Sequence, residues 1–165
     1  MILRCTWRML DVLGGKPDLV DVGPDDDDWY ANVVYIDGRK CVLFVHAGTL
    51  FSSMTLNVNV GLLRPIGGYV FSQIVRALES EGFPPDALGV IDDKQVRLAR
   101  THRKSVLGSM NDMVIMARHV IRSDGGLERC DVTKLNHFLH DTPNGARGFA
   151  TPLELVRARV SQRAT

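Results

Sequence analysis

Cysteine is sparse in this chain, and its spacing excludes two classes at once. The three residues, Cys5, Cys41 and Cys130, lie far apart and form no CxxC pair. A disulfide framework needs an even set in a secreted context, and a structural zinc site needs a full set of clustered ligands. Cys130 with His137 and His140 offers three zinc candidates and no fourth, so no metal is expected. Long apolar runs are missing too: nothing approaches the roughly 18 residues of a membrane span. The opening Met1-Ile2-Leu3-Arg4-Cys5-Thr6 has neither the apolar core nor the small-residue cleavage site of a signal peptide. A cytoplasmic protein with no membrane partner is the expectation. Aromatic residues make up only 7% of the chain, so Trp29, Tyr30 and Tyr35 are expected to pack under a helix rather than stack on bases. There is no GxxxxGK[ST] loop, no GxGxxG, and no GxSxG around Ser52 and Ser53. No cofactor is expected.

What is present fits one ordinary domain. The chain has 165 residues, 45% hydrophobic and 24% charged, which excludes disordered, collagen-like and coiled-coil chains. At this size folding should bury about two-thirds of the extended chain's surface, enough for a core without staples. We therefore expect a single domain over residues 1–165. Net charge is +1, but it is unevenly spread. Residues 1–37 carry a local net of −5, including the run Asp25 to Asp28. Residues 94–111 carry +5 from Lys94, Arg97, Arg100, Arg103 and Lys104, with no acid. Such asymmetry steers an anionic partner, or it pairs two surfaces within one fold.

The hydrophobic period changes along the chain. Ile2–Cys5 predicts a short strand, and Thr6 caps a helix through Leu13 with Gly14 beyond it. Residues 14–28 have loop chemistry. Trp29–Ile36 and Cys41–Ala47 read as strands joined by Asp37-Gly38, a strong hairpin signal, and Leu50–Val58 reads as a third. Helices follow: from Pro65 to Gly82, over Ser105–Ile121, over Asp131–His140 with an aspartate cap, and from the capping box Thr151-Pro152-Leu153-Glu154. Residues 95–100 form a brief strand or a helical turn. The fold class expected is α+β: an antiparallel β-meander of about four strands, packed on one face by helices near 65–82 and 105–122. Cys5 and Cys41 are then buried and close together.

The segment Arg103-Lys104-Ser105-Val106-Leu107-Gly108-Ser109-Met110-Asn111-Asp112-Met113 holds most of the candidate chemistry. Two cations precede a helix whose first turns are small and polar on one side. Arg103, Lys104, Ser105 and Ser109 are the anion-binding candidates, because a helix start presents free N–H groups and a positive dipole end. The plain alternative is that Ser105 caps the helix and Gly108 allows close packing. His46, in mid-strand, joins Asn111 and Asp112 as candidates for a polar cleft. In that reading His46 serves as a general base near Asp112 or Asp37.

These blocks resemble a family of small uncharacterised bacterial proteins. The resemblance lies in Asp27-Asp28-Trp29-Tyr30-Ala31-Asn32, in Arg39 to Ala47 with Thr49 to Ser52, and in Arg103 to Met113, the most specific block. Similar domains stand alone or beside a domain like that of a plasmid-encoded open reading frame. The resemblance implies no activity.

Three readings of function stay open. One is a binding module for an anionic ligand, either a nucleic acid or a phosphorylated small molecule. Another is a hydrolase or group-transfer enzyme using His46, Asn111 and Asp112, with Arg103 as a clamp. The last is a protein-interaction or structural domain that self-associates as a homo-oligomer through an open edge of the meander.

Overall fold

Five strands form the sheet, one more than the pattern suggests, and the computed structural model describes all of residues 1–165. They are β1 (Ile2–Cys5), β2 (Trp29–Ile36), β3 (Arg39–His46), β4 (Ser52–Thr55) and β5 (Arg97–Arg100). The helices are α1 (Trp7–Leu13), α2 (Ile66–Ser80), α3 (Lys104–Ser123), α4 (Val132–His140) and α5 (Pro152–Arg163). Local signals behave as expected where the chain caps itself. The Thr6 side chain accepts from Met9 N, Asp131 accepts from Thr133 and Lys134, and Thr151 with Glu154 closes a full capping box. Asp37 and Gly38 both take positive φ, 50° and 72°, as a two-residue hairpin turn requires.

The sheet is mixed rather than a pure meander. Its order is β4-β3-β2-β1-β5. The β2-β3-β4 part is antiparallel, but β1 runs parallel to both β2 and β5, with Leu3 opposite Trp29 and Leu98. A parallel neighbour needs a crossover, and α1 with the loop after it makes one between β1 and β2.

Helices cover both faces, not one. Successive side chains of a strand point to opposite faces, and both sets are apolar in β2 and β3. Leu3, Trp29, Ala31, Val33, Val42 and Phe44 pack with Met9 of α1, Val70 and Ile74 of α2, and Leu153 and Val156 of α5. Tyr30, Val34, Cys41, Leu43 and Val45 pack with Val106, Met110 and Met113 of α3 and Leu135 and Leu139 of α4. Cys5 and Cys41 therefore lie on opposite faces, not together. Trp29 and Tyr30 are fully buried, one in each core.

One charged side chain is buried in the sheet itself. Arg4 Nε donates to Asp28 Oδ2 at 2.5 Å, and its other nitrogens donate to the carbonyls of Arg100, Val22 and Gly23 at 3.1, 2.9 and 2.7 Å. A buried ion is tolerable only when paired and hydrogen-bonded, and Arg4 is both.

The edge strand β4 is closed by side chains of α4. Asn136 mimics a neighbouring strand: its Oδ1 accepts from Met54 N at 2.7 Å and its Nδ2 donates to Met54 O at 2.9 Å. One turn on, His140 Nε2 donates to Ser52 O at 2.6 Å, while its Nδ1 meets Glu81 Oε1 at 2.7 Å. Phe51 stacks on the same ring at 4.1 Å. At the far edge, Val20 N donates to Leu98 O of β5. The open meander edge invoked for self-association is thus occupied by the protein's own amide and imidazole groups.

Removing Asp28 strands a guanidinium in the core. Asp28→Ala should lower unfolding free energy by about 3–5 kcal/mol in urea melts, and Arg4→Met with Asp28→Leu should recover most of it. The His140 bond, then that of His137 at 3.0 Å, holds Glu81 below the usual carboxylate range against the opposing effect of burial. A lowered carboxylate stabilises the fold above its unfolded pKa and loses that contribution as pH falls through the folded value. Glu81→Gln should therefore cost about 3 kcal/mol at pH 7, and the gap to wild type should close below about pH 4. Thermal melts across pH 3–8 measure it.

Candidate functional site at the start of helix α3

The parallel strands β1 and β5 are neighbours, yet the helices that follow them go to opposite faces. Where adjacent parallel strands part in this way, a crevice opens at their carboxyl ends, the usual ligand position in open α/β sheets. Here the turn Thr101-His102-Arg103 leads from β5 into α3. A hydrogen bond from Arg103 N to the Tyr30 hydroxyl, 3.1 Å, anchors that turn to the buried sheet. One side opens on a cavity of about 540 Å³ lined by Arg4, Leu19 to Val22 and Arg100 to His102.

Ser105 is not the cap. The helix begins one residue earlier, at Lys104, and position Arg103 supplies no side-chain acceptor. The first-turn N–H groups of α3 therefore lack the capping bond that α1, α4 and α5 all have. Lys104 is exposed and forms no ion pair, whereas Arg103 is bound to Asp26. That pairing, first through its hydrogen bond, holds Asp26 below the usual carboxylate range. Of the five cations in residues 94–111, only Arg103 pairs with a carboxylate.

Further along α3, Ser105, Gly108, Ser109 and Asp112 line a second cavity of about 390 Å³, open to solvent and bordered on its other side by Thr142 to Ala146. Ser109 is 4% exposed and accepts from Asn144 Nδ2 at 3.3 Å. Asn144 Oδ1 is taken by Ala146 N, which fixes the amide orientation. Asn111 is exposed and does not line this cavity.

The structure does not bring His46 to the others. It follows Phe44 on the α2 face, edge-on to Trp29 at 5.2 Å, and is fully buried, while Asp112 is on the opposite side of the sheet. Its Nδ1 accepts from Thr49 N at 3.2 Å, so its basic lone pair is already used. Burial, then nearby Arg159, pushes its pKa down to about 3. The cleft of His46, Asn111 and Asp112 is therefore not assembled.

The acidic run, exposed at Asp25 to Asp27 and buried at Asp28, is drawn into ion pairs. Asp26, Asp27 and Asp28 each bind an arginine: Arg103, Arg159 and Arg4 respectively. Tyr30, Asn144 and Thr142 are site neighbours that sequence reasoning missed. The turn chemistry of Pro143-Asn144-Gly145 was the available signal for the last two.

Together these features define an α+β domain built on a mixed sheet, with a polar crevice where two parallel strands end. The chain belongs to the family described as a domain of unknown function (DUF6933), which matches residues 2–155. No curated protein matches it. No helix is long and apolar enough to cross a membrane.

Proposed function

We propose that this domain binds an anionic ligand at the turn from β5 into α3, and that the ligand is a phosphorylated small molecule rather than a nucleic acid. The observation that carries this reading is the uncapped first turn of α3, placed at the carboxyl end of β5 where the sheet's connections diverge. Backbone N–H groups there point outward with the positive end of a 20-residue helix behind them. Lys104 stands beside them, and Arg100 and His102 line the adjoining cavity. The preference for a small ligand follows from how the charges are used. Arg4, Arg103 and Arg159 are committed to the aspartate run, and a net charge of +1 is not the strongly basic footprint of a dedicated nucleic-acid binder.

The test is titration with inorganic phosphate, followed by amide NMR shifts. Lys104, Ser105 and Val106 amides should move, and Lys104→Glu should weaken binding by about 10-fold or more. A glutamate in the first turn suits the helix dipole, so the variant keeps its fold. A labelled oligonucleotide bound through Arg97, Arg100 and Lys104 should instead show a salt slope of about −2.7, roughly 40-fold between 50 and 200 mM. That slope with no phosphate response would favour the nucleic acid, and no response to either would end the proposal.

A further inference from the structure

The cavity beside the first turns of α3 carries a more specific reading, which rests on the phosphate site just described. Glycine inside a helix is unfavourable, so a helical glycine calls for a reason. Gly67 of α2 has one: a Cβ there would run into the carbonyl of Asp93. Gly68, in the first turn of α2, and Gly108 have none within the fold, since a Cβ at either would meet nothing within 4 Å, but Gly108 lines a cavity. Its φ is not in the left-handed region, so the backbone does not demand glycine. What a Cβ would enter is the cavity itself.

The groups around Gly108 are of one kind. Ser109 is more than nine-tenths buried and lines the cavity; its oxygen accepts from Asn144, and its own hydroxyl hydrogen finds no acceptor in the protein. Asp112 presents a carboxylate that bonds to no other side chain, and Thr142 adds a hydroxyl. No cationic side chain lines this cavity. From Ser105 to Asp112 the helix rises about 10 Å, the length of a short phosphorylated chain or ring. We infer that the cavity over Gly108 takes the polyhydroxylated part of a phosphate monoester such as a sugar phosphate. The phosphate sits at the first turn, vicinal hydroxyls donate to Asp112, a ligand oxygen accepts from Ser109, and the ring lies flat on Gly108. The depression, about 390 Å³ and open to solvent, has room for a monosaccharide phosphate.

Calorimetric titration with inorganic phosphate, ribose 5-phosphate, glucose 6-phosphate and O-phosphoethanolamine tests this, for wild type, Asp112→Asn and Gly108→Ala. At least one sugar phosphate should bind 10-fold or more tightly than phosphate, and Asp112→Asn should remove that advantage while leaving phosphate affinity unchanged. Gly108→Ala should raise Tm by about 1–4 °C and yet weaken sugar phosphate binding, a combination that a packing role for Gly108 does not produce. Equal affinity for phosphate and sugar phosphates overturns the inference and leaves the phosphate site standing. Preference for O-phosphoethanolamine overturns it in favour of an amine at Asp112. Binding of none of these ligands overturns both.

Discussion

The buried guanidinium of Arg4 is the constraint from which the rest of this architecture follows. It lies on an inner strand of the sheet, next to the edge strand and flanked by parallel partners, and is 2% exposed. Its five N–H donors need acceptors that the strands, apart from the end of β5, cannot supply, because strand carbonyls are used in the ladder. The loop between α1 and β2 supplies them. Carbonyls of Val22 and Gly23 and the carboxylate of Asp28 close around the charge, and the carbonyl of Arg100 takes a fourth bond. A loop of loop-like composition is thereby locked in place, and Arg100, the last residue of β5, is held against it. The turn that carries the candidate site starts at the next residue.

The aspartate run extends this arrangement outward. Asp28 faces inward to Arg4, Asp26 to Arg103 at the start of α3, and Asp27 to Arg159 on α5. Three elements distant in sequence are thus tied to one four-residue segment. The exposed pairs contribute little energy individually; their value is geometric, since each fixes where one helix end sits relative to the sheet. This also explains why uneven charge along a sequence is a poor guide to a binding surface. Three of the aspartates are matched inside the fold, while Lys94, Arg97, Arg100 and Lys104 of the basic segment pair with no carboxylate and stay free to meet a ligand.

What was legible in the sequence was local. Caps at Thr6, Asp131 and Thr151 and the Asp37-Gly38 hairpin depend on residues within four positions of one another, and each reads directly. The parallel placement of β1 depends on Leu3 meeting Trp29 and Leu98, 26 and 95 residues away, and no local signal reports that. The face chosen by each helix was hidden for a related reason. Strands β2 and β3 are apolar on both sides, so their pattern allows helices on either face, and it marks two covered faces only once the period is read without assuming one. His46 illustrates the same limit at the site: a histidine in a strand can face either core, and the sheet that separates it from Asp112 is a long-range object.

The α3 segment was legible in identity and illegible in role. Ser105 has the right chemistry to cap a helix, and capping would have explained the polar character of the whole segment. The helix begins at Lys104 instead, because Arg103 N is bound to the Tyr30 hydroxyl and its side chain is held by Asp26, which together set the chain direction one residue upstream. The segment's polar side then has no structural task left. Met110, Met113 and Val106 supply the packing, Asn144 uses only the acceptor of Ser109, and a side chain at Gly108 would meet open space. A helix that already buries its apolar stripe gains nothing in stability from a glycine and an uncapped start. Both features weaken it, and Ser105 of the first turn lines one cavity with Gly108, the arrangement expected when a helix is shaped for a ligand rather than for its own stability.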